Sequence, residues 1–253
     1  MVRRLLSYVV VGGIVFVSAM APHAPVRPTL PRQLFLLVGQ SNMAGRGIVE
    51  EVDRVAVDRV VMQDRSLHWI PAVEPVHYDK PGVVGVGPGR AFGVAVAARW
   101  SGVEIGLVPA AVGGTSIRAW APGAADVATH THPYDDAIGR ARAALTDGQL
   151  AGILWLQGES DGNADAAADY ESRLRDVIAH FRRDLDAPDV PFLIAQLGRF
   201  AGSPWNEFRS RVDSAQQRVA ATTARVAFVP TDGLRDRGDT VHFDAPSARE
   251  IGR

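Results

Sequence analysis

A serine set among small residues near one end of this chain, and a histidine preceded by an aspartate near the other, are the side chains best suited to chemistry. Gly39-Gln40-Ser41-Asn42-Met43-Ala44-Gly45 follows an apolar run, and Asp239-Thr240-Val241-His242-Phe243 lies close to the C-terminus. Hydroxyl, imidazole and carboxylate are the parts of a nucleophilic relay, in which Ser41 attacks, His242 takes its proton and Asp239 orients the ring. Each half also has a plainer reading. Ser41 is placed to cap a helix, and Asp-x-x-His occurs in many surface turns. Met43 stands where the G-x-S-x-G elbow of α/β-hydrolases has its second glycine, so that elbow is not matched. Asp244 competes as the acid, but Asp244-Ala245-Pro246-Ser247 reads as a helix cap followed by an early-helix proline.

Attack on an ester builds an oxyanion that needs donors fixed beforehand. Three candidates for that role are the backbone N–H of Ser41, a backbone N–H at Gly113 or Gly114, and the side-chain amide of Gln157. The alternatives are an ordinary turn at Gly113-Gly114 and a polar strand end at Gln157.

These groups are far apart in sequence, so the elements between them must bring them together. Apolar runs of strand length recur at Gln33 to Val38, Arg59 to Met62, Val103 to Val108, Gly152 to Leu156, Val190 to Leu197 and Val226 to Val229. Several are hydrophobic on successive residues, as strands buried on both faces of a parallel sheet are. Tyr170, Leu174, Val177, Phe181 and Leu185 form one helical stripe, and Trp205, Phe208, Val212, Ala215 and Val219 another. Alternation of the two predicts a three-layer α/β/α domain with its ligand site at the carboxyl edge of the sheet. Ser41 follows the first strand, Gly113-Gly114 the third and Gln157-Gly158-Glu159 the fourth, so three loops converge there. Residues 64–88 show no period and are expected to form a long functional or covering loop.

Composition narrows the classes. The 253 residues are 47% hydrophobic and 22% charged, which suits one sizeable globular domain. A net charge of −1 provides no basic field for nucleic acid or an anionic membrane. No cysteine is present, which excludes disulfides, a thiol nucleophile and thiolate metal sites. Arg3 and Arg4, the apolar stretch from Leu5 to Val17 and the small residues to Ala21 have the layout of an export signal over residues 1–21. Cleavage after Ala19 is preferred to Ala21, which Pro22 follows. An uncleaved signal would be a membrane anchor. A proline-rich tether over residues 22–31 then leads to a domain over residues 32–253. The expectation is a secreted or cell-envelope protein.

GQSNMAG, VGGTSIRAW, LWLQGESD and DTVHF, in this order, resemble the sequence blocks of the SGNH/GDSL hydrolase superfamily. More narrowly they are similar to its sialate O-acetylesterase and acetylxylan esterase branch, carbohydrate esterase family 6, in which GQSN replaces the GDS block and a QGE block supplies glutamine. The resemblance spans roughly Leu34 to the C-terminus. It implies a flavodoxin-like α/β sheet, no metal or organic cofactor, a catalytic triad of Ser41, Asp239 and His242, and an oxyanion hole of Ser41, Gly113 and Gln157, with Gly114 as the alternative to Gly113. The partner it implies is an acetylated carbohydrate, of sialate or xylan type, with no stable protein partner. A sugar O-acetyltransferase on the same fold and a carbohydrate-binding pseudoenzyme are the competing readings.

Other residues carry smaller expectations. Arg118 and Trp120 are candidates for lining a sugar site, with packing as the alternative for Trp120. Glu159 is a further candidate for that sugar site, with holding Gln157 or another loop in place as its alternative, and Asp161 is expected to order a loop. His130 and His132 could approach a metal as alternate residues of a strand, but read better as a polar loop. Arg90 departs from the family's glycine-proline-to-phenylalanine segment and is expected to alter substrate contacts. The last helix is expected to be about two turns long, with fraying there loosening His242.

Overall fold

A computed structural model describes residues 30–253. The export signal and all but the last two residues of the tether lie outside the described residues. The first strand begins at Arg32. Strands β1 (Arg32–Gly39), β2 (Val60–Gln63), β3 (Trp69–Pro71), β4 (Glu104–Pro109), β5 (Gln149–Leu156), β6 (Phe192–Ala195) and β7 (Val226–Val229) form one sheet in the order β3-β2-β4-β1-β5-β6-β7. All neighbours pair in parallel except β2 with β3. The helices are α1 (Ser41–Ala44), α2 (Glu51–Arg54), α3 (Pro88–Arg99), α4 (Pro133–Ala144), α5 (Ala164–Asp184), α6 (Glu207–Thr222) and α7 (Ala245–Ile251).

The unbroken apolar run of β1 has its reason in the layers. Leu34, Leu36 and Val38 point into one core shared with α4, α5 and α6, while Phe35 and Leu37 point into a second core shared with α3 and α7. Each such buried aliphatic side chain contributes about 1.5–3 kcal/mol. The periodic stripe of α5 is buried as read, at Tyr170, Leu174, Val177 and Phe181, and that of α6 at Val212, Ala215 and Val219. β3 falls inside the segment read as loop. At three residues, antiparallel and on the sheet edge, it is too short to show a period.

The topology reverses at β1, which lies between β4 and β5. Chain leaving β1 goes to one side and later returns to the other, so the carboxyl ends of these three strands enclose a crevice. Helix α7 closes the fold firmly despite its length. The Asp244 side chain accepts the Ser247 N–H, Ala245 and Ala248 are buried, and Arg249 pairs with Asp53 at 2.6 Å and Glu50 at 2.5 Å.

Candidate active site

Tight approach between β1 and β5 sets the position of Ser41. Gly39 has φ +129, and a Cβ there would run into the Leu156 carbonyl of β5, while the next residue, Gln40, donates its N–H to that carbonyl at 2.9 Å. The single turn of α1 then lifts Ser41 above the sheet edge. His242 Nε2 lies 3.0 Å from Ser41 Oγ, and His242 Nδ1 lies 2.8 Å from Asp239 Oδ2. An ionised carboxylate only accepts, so Nδ1 carries the proton and Nε2 is left to accept from the serine hydroxyl.

The Asp-x-x-His turn is built by the aspartate itself. Asp239 Oδ1 accepts the N–H groups of Val241 at 3.0 Å and His242 at 2.8 Å, and Thr240, directly after the aspartate, takes φ +59. Two backbone bonds, Arg237 N–H to His242 O at 2.9 Å and Asp244 N–H to Arg235 O at 3.0 Å, close the surrounding hairpin. Burial pushes the Asp239 carboxyl up, but the bonds from His242 and Val241 outweigh it and hold the group below its usual range.

Asn42 clamps the histidine from behind. Its Nδ2 donates to Val241 O at 3.1 Å and its Oδ1 accepts the Phe243 N–H at 3.0 Å, so one amide grips both neighbours of His242. Glu159 Oε1 holds the same Nδ2 at 2.5 Å, which gives Glu159 the loop-holding position of its alternative reading. Burial raises the Glu159 carboxyl, and its Oε2 has no hydrogen-bond partner among the described residues. An Asn42→Ala variant leaves the buried Phe243 N–H and Glu159 carboxyl unsatisfied, at a stability cost of about 1–3 kcal/mol. Loosening the ring is expected to lower kcat/KM on an aryl acetate by roughly 10²-fold. Kinetics paired with urea midpoints check this, and turnover within twofold of wild type would refute the clamp.

The oxyanion candidates separate. The Gly113 N–H donates to Asp79 Oδ2 at 2.9 Å, so it is not available to a substrate. Gln157 is fully buried, and its Nε2 is occupied by Thr115 O at 3.0 Å, Asp161 Oδ2 at 2.5 Å and Gln40 Oε1 at 3.2 Å, with its Oε1 accepting from Tyr170. Expecting Gln157 at the oxyanion is corrected on this ground: its amide ties the loops after β1, β4 and β5 together beneath the crevice. Among the described residues, the backbone N–H groups of Ser41 and Gly114 donate to no protein acceptor. Both residues line the crevice.

Three further expectations are displaced by packing. Trp120 is fully buried, edge-on to Trp155 and donating to Thr115 Oγ1 at 3.1 Å, so it belongs to the core and not to a sugar platform. Arg118 pairs with Asp165 at 2.6 Å on α5 and is not among the crevice residues. Arg90 donates to the carbonyls of Ala72 and Val55 and lines a separate cavity of about 630 Å³ with Glu74 and Arg249. Asp161 orders its loop as read, accepting from Ser116 Oγ at 2.6 Å and Ile117 N–H at 3.0 Å. His132 Nδ1 lies 3.2 Å from the Ala124 carbonyl.

The crevice has a volume of about 560 Å³, and its wall carries Lys80, Arg209 and Arg237 besides Ser41, Glu159 and His242. None of these three cations was singled out by the sequence, nor were Gln40, Asn42, Arg46 and Asp79. Gln40 and Asn42 had a signal, since they flank Ser41 within one block. Asp79 and Lys80 come from the segment without a period, and Arg209 stands in α6 off its apolar stripe.

Over residues 31–253 the chain matches the family described as carbohydrate esterase, sialic acid-specific acetylesterase. It belongs to that family. A probable carbohydrate esterase of Arabidopsis thaliana is 31% identical over 245 residues, covering 89% of each chain. An X-ray structure of an Arabidopsis thaliana protein, also 31% identical, superposes with a TM-score of 0.76 over 88% of this chain and 94% of that one. The crystal structure of NanS, at 17% identity, has a TM-score of 0.71 over 89% of this chain and 95% of its own. The latter likeness is one of fold: this esterase has the α/β architecture expected from its blocks.

Proposed function

We propose that this esterase removes O-acetyl groups from acidic sugars of the sialate type by a two-step acyl-enzyme route, and that it acts outside the cytoplasm. The observation that carries the chemistry is the unbroken line from Ser41 Oγ through the His242 ring to Asp239. Ser41 Oγ attacks the acetyl carbonyl carbon as its proton passes to His242 Nε2. The oxyanion faces the N–H groups of Ser41 and Gly114. His242 returns the proton to the leaving sugar oxygen as that C–O bond breaks. Water then attacks the acetyl-serine, giving its proton to His242, and acetate leaves as Ser41 Oγ is reprotonated. The export-signal layout of residues 1–21 supports the location.

Charge on the crevice wall supports an acidic sugar over neutral xylan. Asp239 is engaged by His242, whereas Arg209 donates to the neutral Ser203 hydroxyl at 3.3 Å while also acting on the buried Glu159 carboxyl, and Lys80 Nζ stands beside Gly114. Arg237 donates to the Arg46 carbonyl at 2.7 Å and lies 3.7 Å from Asp239. The test is free acetate released from O-acetylated sialic acid and from acetylated xylan at equal ester concentration, with a neutral sugar present as competing acceptor. Faster release from the sialic acid is expected, with acetate and not acetylated acceptor as the product. Faster release from xylan would overturn the substrate assignment, and acetylation of the acceptor would overturn hydrolysis.

A further inference from the structure

Beside the catalytic serine lies a buried ion pair with no part in the relay. Arg46 Nη2 meets Asp79 Oδ2 at 2.7 Å, with side chains only 5% and 1% exposed. Arg46 follows the nucleophile block on one side of the crevice, and Asp79 belongs to the segment expected to form a functional or covering loop. The same Asp79 Oδ2 accepts the Gly113 N–H at 2.9 Å. Arg46 is held in turn, its Nη1 donating to Gly45 O at 2.7 Å and its own carbonyl accepting from Arg237.

Space around Gly113 shows how closely this pair meets the loop. A Cβ on Gly113 would collide with Arg46 Nη2 and lie 2.7 Å from Asp79 Oδ2 and 3.4 Å from the Cβ of Ser41. The glycine is therefore pressed between the ion pair and the nucleophile. Its N–H is spent on Asp79, and the next N–H along the chain, that of Gly114, is the one left to a substrate.

We propose that Asp79 is a positioning residue for the oxyanion: by holding the Gly113 N–H it fixes the peptide that presents the Gly114 N–H, and Arg46 neutralises the carboxylate doing so. The proposal rests on the esterase reading above. Its electrostatics require both partners. An unpaired carboxylate so close to a developing oxyanion would raise the barrier, and in a site of low dielectric such repulsion is little screened. Burial pushes the Asp79 carboxyl up, but Arg46 and the Gly113 N–H hold it below its usual range, so it is ionised at neutral pH. His77, pushed down to about 4 by burial, is neutral there, and the compensating charge comes from Arg46. The arrangement presents the loop without a net negative charge.

Steady-state kinetics on p-nitrophenyl acetate test this, together with inhibition by a simple boronic acid whose tetrahedral adduct with Ser41 places an oxygen where the oxyanion forms. Asp79→Ala is expected to lower kcat by about 10- to 100-fold with KM within twofold, less than the roughly 10²–10³-fold of outright donor loss. Asp79→Asn keeps an acceptor for the Gly113 N–H but loses the charge that strengthens it, so its loss is expected to be about 3- to 10-fold. Boronic acid affinity is expected to fall in the same order. Unchanged kcat and inhibition in a folded Asp79→Ala protein would overturn the role, as would equal losses in kcat and KM with no rescue by asparagine. Should Asp79→Ala not fold, Asp79→Asn decides alone: an undiminished kcat refutes the proposal. Absence of wild-type turnover would instead refute the esterase reading itself.

Discussion

A Ser41→Ala variant is expected to lose roughly 10⁴–10⁶-fold in kcat on p-nitrophenyl acetate while melting within a few degrees of wild type. Removal of the nucleophile or of the base alone costs about as much as removal of the whole relay. Ser41 Oγ lies 3.0 Å from His242 Nε2, and its loss leaves the imidazole with no nucleophile to activate. The fold has little dependence on that hydroxyl. The loop is held by the Gln40 N–H on Leu156 and by the side chains of Gln40 and Asn42, all of which the substitution leaves in place. Residual activity over water would come from the Ser41 and Gly114 backbone donors, which alanine retains at residue 41. Turnover of the variant within tenfold of wild type would remove Ser41 from the chemistry and with it the acyl-enzyme route.

Asp239→Asn is expected to lower kcat by roughly 10³–10⁴-fold with little change in KM. The two carboxylate oxygens have separate duties. Oδ1 builds the turn through the Val241 and His242 N–H groups, and Oδ2 receives the ring proton of Nδ1 at 2.8 Å. Asparagine keeps an acceptor for the turn, so the hairpin survives. Its NH2 group then faces Nδ1 and can only donate, which forces the ring proton onto Nε2 and turns the base away from Ser41. The variant separates orientation of the base from integrity of the loop, which alanine would remove together. A pH–rate series on both proteins checks it. A loss below tenfold across neutral pH would mean that Asp239 serves the turn alone.

Much of the architecture was legible because it depends on short-range pattern. Strands buried on both faces have no polar alternation, so the runs containing Leu34 to Val38 and Ile153 to Leu156 were readable, and α5 and α6 carry stripes long enough to show a period of 3.6. Ser41, Asp239 and His242 were legible only as candidates, because a strand-end serine and an Asp-x-x-His turn each have a plain reading until the fold brings them within 3.0 Å of one another. β3 was not, because three residues on an edge have no period to reveal.

The misplaced residues share one cause. Trp120, Arg118 and Gln157 each have a side chain fit for substrate, and nothing in the adjacent sequence tells which way it points. Trp120 turned into the core because Trp155 and Thr115 offered it a packed ring and a hydrogen-bond acceptor, and Arg118 turned to Asp165 on α5. Gln157 was absorbed by three neighbouring loops.

The sequence by itself determined the α/β layering and placed Ser41 and an Asp-x-x-His turn as candidates at the carboxyl edge of the sheet. Tertiary structure alone decided which backbone donors stay free at the crevice, which amide brackets the histidine and which cations line the crevice. Strand and turn preferences act over a few residues, whereas a buried polar group must find its partner wherever the fold brings one. The Arg46 and Asp79 partners are 33 residues apart, and the Asn42 and Phe243 partners 201.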